Sequence, residues 1–352
     1  IMARPRSRDN TRIRNEAARR GPPAASPGAP PLTSPESGRE LRAAVVGVGY
    51  LGRFHAQKYA ALPGCRLAAV ADANAEARTR VSAELGTAAV ADWRELLGRV
   101  DAVSIVTPTP LHHEIARAFL DAGTHVLVEK PMTVTVEEAR DLIEAARRNG
   151  RVLQVGHLER FNAAVQAIEG VVADPRFIEC TRLAPFKQRG TDVSVVLDLM
   201  IHDIDLVQSV VRSPVVSIDA VGSTVFSDDI DIANARLRFA SGCVANVTAS
   251  RVSLKTERKL RLFQDDAYLS VDLQQKILTV IRKQGAAPTT GELPQVAIDE
   301  RTYEQGDALK LEIEAFLDSI RTGRPPLVDG EAGLLALETA IRIAEQVSRR
   351  AT

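Results

Sequence analysis

Two side chains in this sequence have the types and the spacing that proton transfer requires. Asp198 and His202 are four residues apart in a predicted helix, residues 193–211, and therefore share one helix face. A carboxylate there can orient the imidazole and stabilise its cation. The same spacing also occurs in ordinary surface pairs, so on its own it does not establish catalysis. Asp203 and Asp205 lie off that face, where we expect water to solvate them.

Lys130 is a third candidate. It follows an apolar run that ends in Glu129 and predicts a buried strand, and Pro131 restricts the chain directly after it. In parallel sheets, ligands bind at the carboxyl ends of the strands. Hydride transfer from a secondary alcohol needs a base and a cation that orients the oxygen, and His202 with Lys130 would provide both.

A glycine-rich turn follows another apolar run, residues 43–46. Its sequence is Gly47-Val48-Gly49-Tyr50-Leu51-Gly52. The first glycine permits a tight turn, the second lets the backbone approach a pyrophosphate, and the third lets the next helix pack closely on the sheet. We therefore expect the turn, with Tyr50 and Leu51 included, to bind a dinucleotide. A lone pattern of this kind is weak, because glycine-rich turns are common.

Asp72 strengthens this interpretation. It ends the next predicted strand, residues 67–72, and lies 20 residues after Gly52. A carboxylate at this place accepts hydrogen bonds from the adenosine ribose hydroxyls and repels a 2′-phosphate, so the sequence favours NAD over NADP. The alternative is that Asp72 only caps the helix that follows.

The segment Thr107-Pro108-Thr109-Pro110 ends another predicted strand, because two prolines forbid its continuation. We expect this loop to lie at the carboxyl edge of the sheet, over the dinucleotide. His112 and His113 then open a helix. Adjacent histidines cannot face the same way on a helix, so they are a poor metal pair and no metal site is expected. His112 either touches the cofactor or has a polar role at the helix start.

The predicted elements divide the chain into two folded domains. Residues 41–160 alternate short apolar runs with helical patterns, which predicts an α/β domain with a doubly wound parallel sheet that binds NAD. Residues 161–330 contain consecutive strand patterns, which predicts an α+β substrate domain with a mainly antiparallel sheet. Residues 331–352 form a closing helix. Residues 1–40 combine scattered arginines and prolines without apolar periodicity, and we expect a disordered tail.

Charge and cysteine content argue against several kinds of partner. Lysine plus arginine equals aspartate plus glutamate at 45 each, so no net charge favours nucleic acid or a membrane surface. No apolar run approaches the roughly 20 residues of a membrane helix, so no membrane insertion is expected. Cys65, Cys180 and Cys243 show neither pairing nor metal-binding spacing, which is typical of a protein in the reducing cytoplasm.

The motifs, in this order, resemble those of the family that includes glucose–fructose oxidoreductase and myo-inositol dehydrogenase. They are Gly47-x-Gly49-x-x-Gly52, Thr107-Pro108-Thr109, Glu129-Lys130-Pro131 and Asp198-x-x-x-His202. The resemblance covers residue 42 to the C-terminus. It implies a Rossmann domain followed by an open-faced sheet whose outer face builds homodimers or homotetramers. It also implies that Glu129 and Lys130 contact NAD, and that Lys130 and His202 flank the reacting hydroxyl with Asp198 assisting.

Two longer stretches are similar to bacterial UDP-N-acetylglucosamine 3-dehydrogenases. They are Val155-Gly156-His157-Leu158-Glu159-Arg160-Phe161-Asn162 and residues 192–205. Those enzymes oxidise the sugar 3-hydroxyl to a ketone, which a partner aminotransferase converts to an amine for diamino-sugar lipid A. The resemblance implies a nucleotide-sugar substrate, bound by residues that include Arg160, Asn162 and Arg189. Further cations could pair with a diphosphate, although a solvated face is the alternative for most of them: Lys187, Arg251, Lys255, Arg258 and Lys259.

Three alternatives stay open. A related dehydrogenase could act on another sugar, an inositol or a UDP-sugar acid. A hydrolase of the same fold could retain NAD and cleave glycosidic bonds through transient oxidation. A ligand sensor could keep the fold without catalysis, although the presence of both Lys130 and His202 argues against it. Specificity lies in the loop geometry of the second domain, which the sequence does not determine.

Overall fold

The computed structural model describes residues 39–186, 193–285, 295–304 and 306–351. The first lobe is built on a six-stranded parallel sheet. Its strands are β1 (Leu41–Val46), β2 (Cys65–Ala71), β3 (Ala88–Val90), β4 (Ala102–Ile105), β5 (His125–Glu129) and β6 (Leu153–Gly156). The strand order β3-β2-β1-β4-β5-β6 confirms the predicted doubly wound sheet. In such sheets ligands bind beyond the carboxyl ends of β1 and β4, where the strand order reverses.

The connecting helices of this lobe are α1 (Tyr50–Ala61), α2 (Ala75–Leu85), α3 (His112–Asp121) and α4 (Val136–Arg148). Local sequence determines where they start and stop. The Asn74 side chain caps α2 by accepting the amide of Ala77, and Gly86 ends it in a left-handed conformation. Thr135 and Glu138 form a capping box at the start of α4.

The second lobe contains an eight-stranded sheet. Its strands are β7 (Phe177–Leu183), β8 (Val215–Ser223), β9 (Ile232–Phe239), β10 (Val244–Ser250), β11 (Glu257–Phe263), β12 (Ala267–Asp272), β13 (Ile277–Lys283) and β14 (Val296–Thr302). In the order β14-β13-β12-β11-β7-β10-β9-β8, neighbours are antiparallel except β7 and β10, which run parallel. Alternate residues of β9 (Ala233, Ala235 and Leu237) are buried while their neighbours are exposed, so one face of the sheet is open. The predicted mainly antiparallel, open-faced sheet is confirmed.

The remaining helices are α5 (Ala163–Gln166), α6 (Ile201–Val211), α7 (Ala308–Thr322) and α8 (Gly330–Ala351). Ile204 of α6 and Ile343 of α8 pack in the core under the covered face of the second sheet. Phe316 of α7 packs instead in the first lobe, in the core that contains β1 and α1. Leu337 of α8 reaches the other first-lobe core. Helix α8 therefore ties the two lobes together, whereas α7 packs on the first lobe. No helix of the described residues is long and apolar enough to cross a membrane.

The predicted helix of residues 193–211 is not uniform. Val196–Met200 forms a π-helical turn, in which amides bond five residues back, and regular α6 begins at Ile201. The helical pattern of residues 163–172 gives only the short helix α5. The π turn matters for function because it contains Asp198 and immediately precedes His202.

Candidate active site

The glycine turn after β1 is shaped by close backbone contacts. Gly47 has a φ of 85°, and a Cβ on it would lie 2.6 Å from the carbonyl oxygen of Val106. A Cβ on Gly52 would lie 1.8 Å from the carbonyl oxygen of Gly47, so only glycine fits where α1 leaves the turn. An added Cβ on Gly49 meets nothing within 4 Å in the described chain beyond its neighbours. The backbone at Gly49 is therefore open to a ligand.

A cavity of about 480 Å³ adjoins this turn at the carboxyl edge of the first sheet. Asp72 lines it, and its two carboxylate oxygens accept the backbone amides of Val48 and Asn74, each at 2.8 Å. Because Asn74 provides the side-chain cap of α2, Asp72 is free to brace the glycine turn and face the cavity. The other lining residues include Gly47, Gly49, Trp93, Arg94, Thr107 and Pro108.

These features fit a bound dinucleotide. The first amides of α1 have no side-chain cap, and an uncapped helix start attracts a phosphate. Tyr50 and Leu51 occupy the first turn of α1, and the exposed Tyr50 ring packs edge-on against Phe54 at 5.3 Å. The open backbone at Gly49 suits the pyrophosphate, and the carboxylate of Asp72 suits the ribose.

The loop after β4 is held by a buried histidine. Thr107 and Pro108 line the cavity, and Thr109 begins a 3₁₀ turn. The two ring nitrogens of His112 lie 2.9 Å from the carbonyl oxygen of Pro131 and 2.8 Å from that of Thr107. The His112 ring therefore ties the loop after β4 to the loop after β5, and both of its nitrogens face main-chain oxygens rather than the cavity.

Lys130 reaches from the first lobe to the second. Its Nζ donates to the carbonyl oxygen of Asp198 at 2.7 Å and lies 3.2 Å from Asp198 Oδ1. The Lys130–Pro131 peptide is cis. The lysine side chain is 17% exposed, so its ammonium group is largely shielded from water. Lys130 therefore meets the π turn that leads into His202.

His202 lies in the first turn of α6. Burial lowers the pKa of this imidazole well below its ordinary value, and the positive charge of Lys130 and Arg182 lowers it further. His202 is therefore neutral near pH 7, the form that accepts a proton. Its Nδ1 is buried and has no hydrogen-bond partner among the described residues.

The predicted contact between Asp198 and His202 is wrong. In the described structure the Asp198 carboxylate pairs with Lys130, and the Asp198 side chain is 42% exposed. The reason lies in the backbone, because the π turn over Val196–Met200 is wider than an α-helical turn. Residues four apart across such a turn do not stack as they do in an α-helix.

Asp203 and Asp205 are not solvated, which corrects the expectation from their spacing. Their exposures are 1% and 2%. Asp203 accepts two hydrogen bonds from Arg182, at 2.9 and 2.8 Å. Asp205 Oδ1 lies 3.5 Å from Arg160. The helix that carries both carboxylates is packed against other elements on more than one side, so each requires a cationic partner.

A second histidine, to which the sequence prediction gave no role, lies beside His202. Strands β5 and β6 pair with Glu129 opposite Gly156, so Lys130 and His157 emerge side by side at the carboxyl edge. His157 is 1% exposed. Its ring centroid lies 6.4 Å from that of His202, and the two ring planes meet at 89°. The position of His157 directly after a parallel strand, like that of Lys130, is the signal that could have found it.

Glu129, predicted to contact the cofactor, turns its carboxylate into the core of the first lobe. Its Oε1 lies 3.1 Å from His55 Nε2, and a Cβ on Gly156 would lie 2.9 Å from its carboxyl carbon. Atoms of His55, Glu129 and Glu312 all lie within 4.8 Å of one another. Burial, with the nearby Glu129 charge, raises the pKa of Glu312 well above its usual range, so Glu312 is a neutral acid. The buried cluster supports the strand end that carries Lys130.

The residues predicted to bind substrate have different surroundings. Arg160 is 15% exposed at its side chain, close to Asp205, and donates to the carbonyl oxygen of Leu327 at 3.3 Å. The Asn162 amide is buried and is used within the protein, because it caps α5 and donates to the Leu273 oxygen at 2.8 Å. Arg189 lies outside the described residues.

Family models match both lobes. Residues 41–157 match a model described as an oxidoreductase family with an NAD-binding Rossmann fold, and residues 163–270 match the GFO/IDH/MocA C-terminal domain. The chain is 43% identical to a UDP-N-acetylglucosamine 3-dehydrogenase of Acidithiobacillus ferrooxidans, over 86% of this chain and 96% of that protein. The chain belongs to the GFO/IDH/MocA family. Its predicted family, its class as an oxidoreductase and its cofactor NAD are thereby confirmed.

A further relative and two solved structures show how far the likeness extends. A solved structure of the Acidithiobacillus ferrooxidans enzyme has a TM-score of 0.83 at 42% identity and covers 88% of this chain and 98% of its own. A scyllo-inositol 2-dehydrogenase (NAD(+)) of Bacillus subtilis is 26% identical over 86% of this chain and 92% of its own length. A scyllo-inositol dehydrogenase of Lactobacillus casei, solved with NAD(H) and scyllo-inositol, has a TM-score of 0.74 at 20% identity and supports the fold alone.

Several cations considered for a diphosphate are engaged with carboxylates in this member of the family. Arg251 is buried and lies 2.8 Å from Asp231. Arg258 lies 3.4 Å from Glu159. Lys187 lies outside the described residues. The described part of the chain therefore favours a structural role for Arg251.

Proposed function

We propose that this enzyme oxidises a secondary hydroxyl of a nucleotide sugar, the 3-hydroxyl of UDP-N-acetylglucosamine, with NAD as the oxidant. The observation that carries the proposal is the meeting of the lobes at Lys130, whose Nζ lies 2.7 Å from the Asp198 oxygen, just before His202. The relative that is 43% identical over 86% of this chain is named for this reaction and supports the choice of substrate.

The proposed chemistry assigns one task to each side chain. NAD, when bound on the glycine turn, supplies the hydride acceptor. His202 takes the hydroxyl proton, because its low pKa keeps it neutral and ready to accept. Lys130 stabilises the negative charge that develops on the reacting oxygen. Asp198 holds the lysine ammonium through a carbonyl and a carboxylate oxygen.

The binding residues complete the proposal. Residues 47–52, Asp72 and the loop that begins at Thr107 bind NAD, with the charge of Asp72 selecting against NADP. Arg160, which is paired with Asp205, helps to position the substrate. Arg189 contributes a positive charge that binds the sugar nucleotide. The 3-keto product suits an aminotransferase partner, as in the synthesis of diamino-sugar lipid A.

Formation of NADH with UDP-N-acetylglucosamine tests the function. Lys130→Ala and His202→Ala are each expected to lower kcat/KM roughly a thousand-fold, since each removes a group that acts on the reacting hydroxyl. Lys283→Ala and His113→Ala are matched controls outside the site and should retain activity. Turnover that is unchanged by both site substitutions would end this assignment of roles.

A panel of substrates separates the alternatives. Activity with an inositol or a UDP-sugar acid, and none with UDP-N-acetylglucosamine, would assign a related dehydrogenase. Release of a free sugar without net accumulation of NADH would indicate a glycosidase that retains its cofactor. The proposal requires that NADH accumulates in proportion to the keto product.

A homodimer or homotetramer through the open sheet face is also proposed. Five apolar side chains form a row of cross-strand neighbours on that face: Phe177, Phe263, Tyr268, Ile281 and Ile298. An apolar row of this kind is typical of a contact surface, and Ile298 is 64% exposed in the single chain. Light scattering of the purified protein tests the proposal, and a monomer at micromolar concentration would contradict it.

A further inference from the structure

The proposed base and two residues near it each have a buried polar atom without a hydrogen-bond partner in the part of the chain that the structure describes. The atoms are His202 Nδ1, His157 Nδ1 and Asp205 Oδ2. Buried polar groups in folded proteins are nearly always paired. Three such atoms on neighbouring residues, next to a proposed catalytic group, therefore indicate a function rather than a packing defect.

Asp205, and not Asp198, shares a helix face with His202. Helix α6 is regular, so residues three apart in it are neighbours on one face. Asp198 lies in the preceding π turn and is paired with Lys130. Arg160 lies 3.5 Å from Asp205 Oδ1, which leaves Oδ2 for another partner. By its spacing in α6, Asp205 is therefore the carboxylate on the helix face of His202.

His157 directly follows strand β6 of the first lobe and lies beside His202. Its ring stands perpendicular to that of His202, with 6.4 Å between the centroids. That separation is too long for a direct N–N hydrogen bond, so the two rings act on each other through their charge or through one bridging group. Burial lowers the pKa of His157, and Asp205 is the strongest influence that opposes this effect.

We propose that His157 and Asp205 are positioning residues for His202 in the oxidation described above, and the inference rests on that proposed function. His157 fixes the His202 ring, and Asp205 stabilises the positive charge that the two histidines share. As the C–H bond breaks, its electron pair leaves with the hydride. The O–H electron pair forms the carbonyl, and the proton passes to His202, where His157 and Asp205 stabilise the resulting positive charge. NAD is the oxidant, so no other reactant is required.

The charges around the two histidines differ. The positive charges that lower the pKa of His202 include those of Lys130, Arg182, Arg258 and His157. The charged side chains that act on His157 are Asp205 and Glu129, which raise its pKa, and Lys130 and Arg160, which lower it. A proton on His157 is therefore closer to negative charge than a proton on His202.

Histidine NMR on the full-length wild-type protein and its variants provides a test that needs no substrate. Asp205→Asn should change the ring nitrogen shifts of His157 and lower its pKa, because it removes the nearby negative charge. Asp299→Asn, on strand β14 and paired with Arg301, is the matched control and should leave the His157 signals in place. Signals of His157 in Asp205→Asn that superimpose on those of the wild type would overturn the proposal.

Kinetics with NAD and UDP-N-acetylglucosamine provide the second test. His157→Asn and Asp205→Asn should each lower kcat roughly ten- to a hundred-fold, with little change in KM for NAD. The acid limb of the kcat–pH profile of Asp205→Asn should move to lower pH, because loss of a negative charge lowers the pKa of the proton acceptor. Added imidazole should partly restore turnover to His157→Gly. Unchanged kcat, or a lower kcat with an unmoved pH profile, would show that the pair has no role in proton transfer.

The two tests separate failure of this inference from failure of the proposed substrate. If the wild type forms no NADH from UDP-N-acetylglucosamine but Asp205→Asn shows the NMR response, the substrate assignment is wrong and the proposed roles of His157 and Asp205 stand. If the wild type forms NADH but the variants show neither the NMR response nor the kinetic effect, the proposed function stands and the proposed roles of His157 and Asp205 are wrong.

Discussion

At the proposed site, the first-lobe carboxylate of Asp72 is held by the main chain, whereas the second-lobe carboxylates of Asp203 and Asp205 have charged side chains as partners. Asp72 accepts the amide of Val48, which belongs to the glycine turn itself. Asp203 is buried against Arg182, and Asp205 lies close to another arginine. Main-chain partners depend on the path of the backbone, which glycine spacing determines. Each member of a side-chain ion pair depends on the charge of the other member. The first site should therefore be sensitive at its glycines and the second at its charges.

The largest effect is expected from Arg182→Met. The substitution leaves Asp203 buried without its partner, and breaking a buried ion pair in this way costs about 3–5 kcal/mol of stability. Urea unfolding measures the loss. The double variant Arg182→Met with Asp203→Leu should recover much of it, since both charges are then removed. Equal stability of the single variant and the wild type would show that the second lobe does not depend on this pair.

The second-largest effect is expected from Gly52→Ala. Its Cβ would lie 1.8 Å from the Gly47 oxygen, so the backbone must shift at a cost of about 1–3 kcal/mol, and NAD affinity should fall with it. Gly49→Ala is the matched comparison, because its Cβ meets nothing within 4 Å in the described chain beyond its neighbours. That variant should keep its melting temperature and lose only affinity for NAD. Thermal unfolding with and without NAD distinguishes the two variants, and a stable Gly52→Ala protein that binds NAD normally would refute the prediction.

The same contrast explains what could be predicted from sequence. The first lobe follows from local patterns: glycines, caps and apolar runs specify strands and turns over short distances. No apolar pattern indicates β3, because it is only three residues long. None indicates β14 either, because most of its side chains are exposed, so its pairing with β13 leaves no apolar pattern.

The site in the second lobe was harder to predict because its geometry depends on a backbone irregularity. The four-residue spacing of Asp198 and His202 predicts a contact only in a regular α-helix, and the π turn breaks that assumption. His157 carries only the signal of its position after a parallel strand, and Asp205 only its spacing from His202. His157 and His202 come together only in the folded chain, which a single sequence does not reveal.

A substitution at Asp72 is expected to have a smaller effect, and it separates the charge of this side chain from its shape. Asp72→Asn keeps an oxygen that can accept the amide of Val48 but removes the negative charge. Its preference for NAD over NADP should fall roughly ten- to a hundred-fold, or about 1.4–2.8 kcal/mol, while the glycine turn stays in place. Asp72→Ala should show the same change in preference and also lower affinity for NAD. Kinetics with both cofactors measure the ratio, and Asp92→Asn, in the same cavity, is the control. If the ratio of activity with NAD to activity with NADP is unchanged in Asp72→Asn, the charge of Asp72 does not determine the cofactor preference.

Glu312 offers the finest test, because it is a buried acid in the first lobe that lacks the main-chain partners of Asp72. Both of its oxygens are buried without a hydrogen bond among the described residues, and burial raises its pKa well above the usual range. A carboxyl whose pKa is higher in the folded than in the unfolded state stabilises the fold below the unfolded value, and this contribution is lost as pH rises. The free energy of unfolding should therefore decline by up to about 1.4 kcal/mol per pH unit between the two pKa values.

Glu312→Gln lacks the ionisable group and should lack this decline. Its stability relative to the wild type should grow steadily from acid to alkaline pH, as measured by urea unfolding at several pH values. Glu314→Gln, on the same helix and paired with Lys310, is the matched control and should follow the wild-type profile. Parallel profiles for Glu312→Gln and the wild type would mean that Glu312 ionises as easily when folded as when unfolded. The first lobe would then tolerate an unpaired buried charge, and the contrast between main-chain and side-chain support would lose its physical basis.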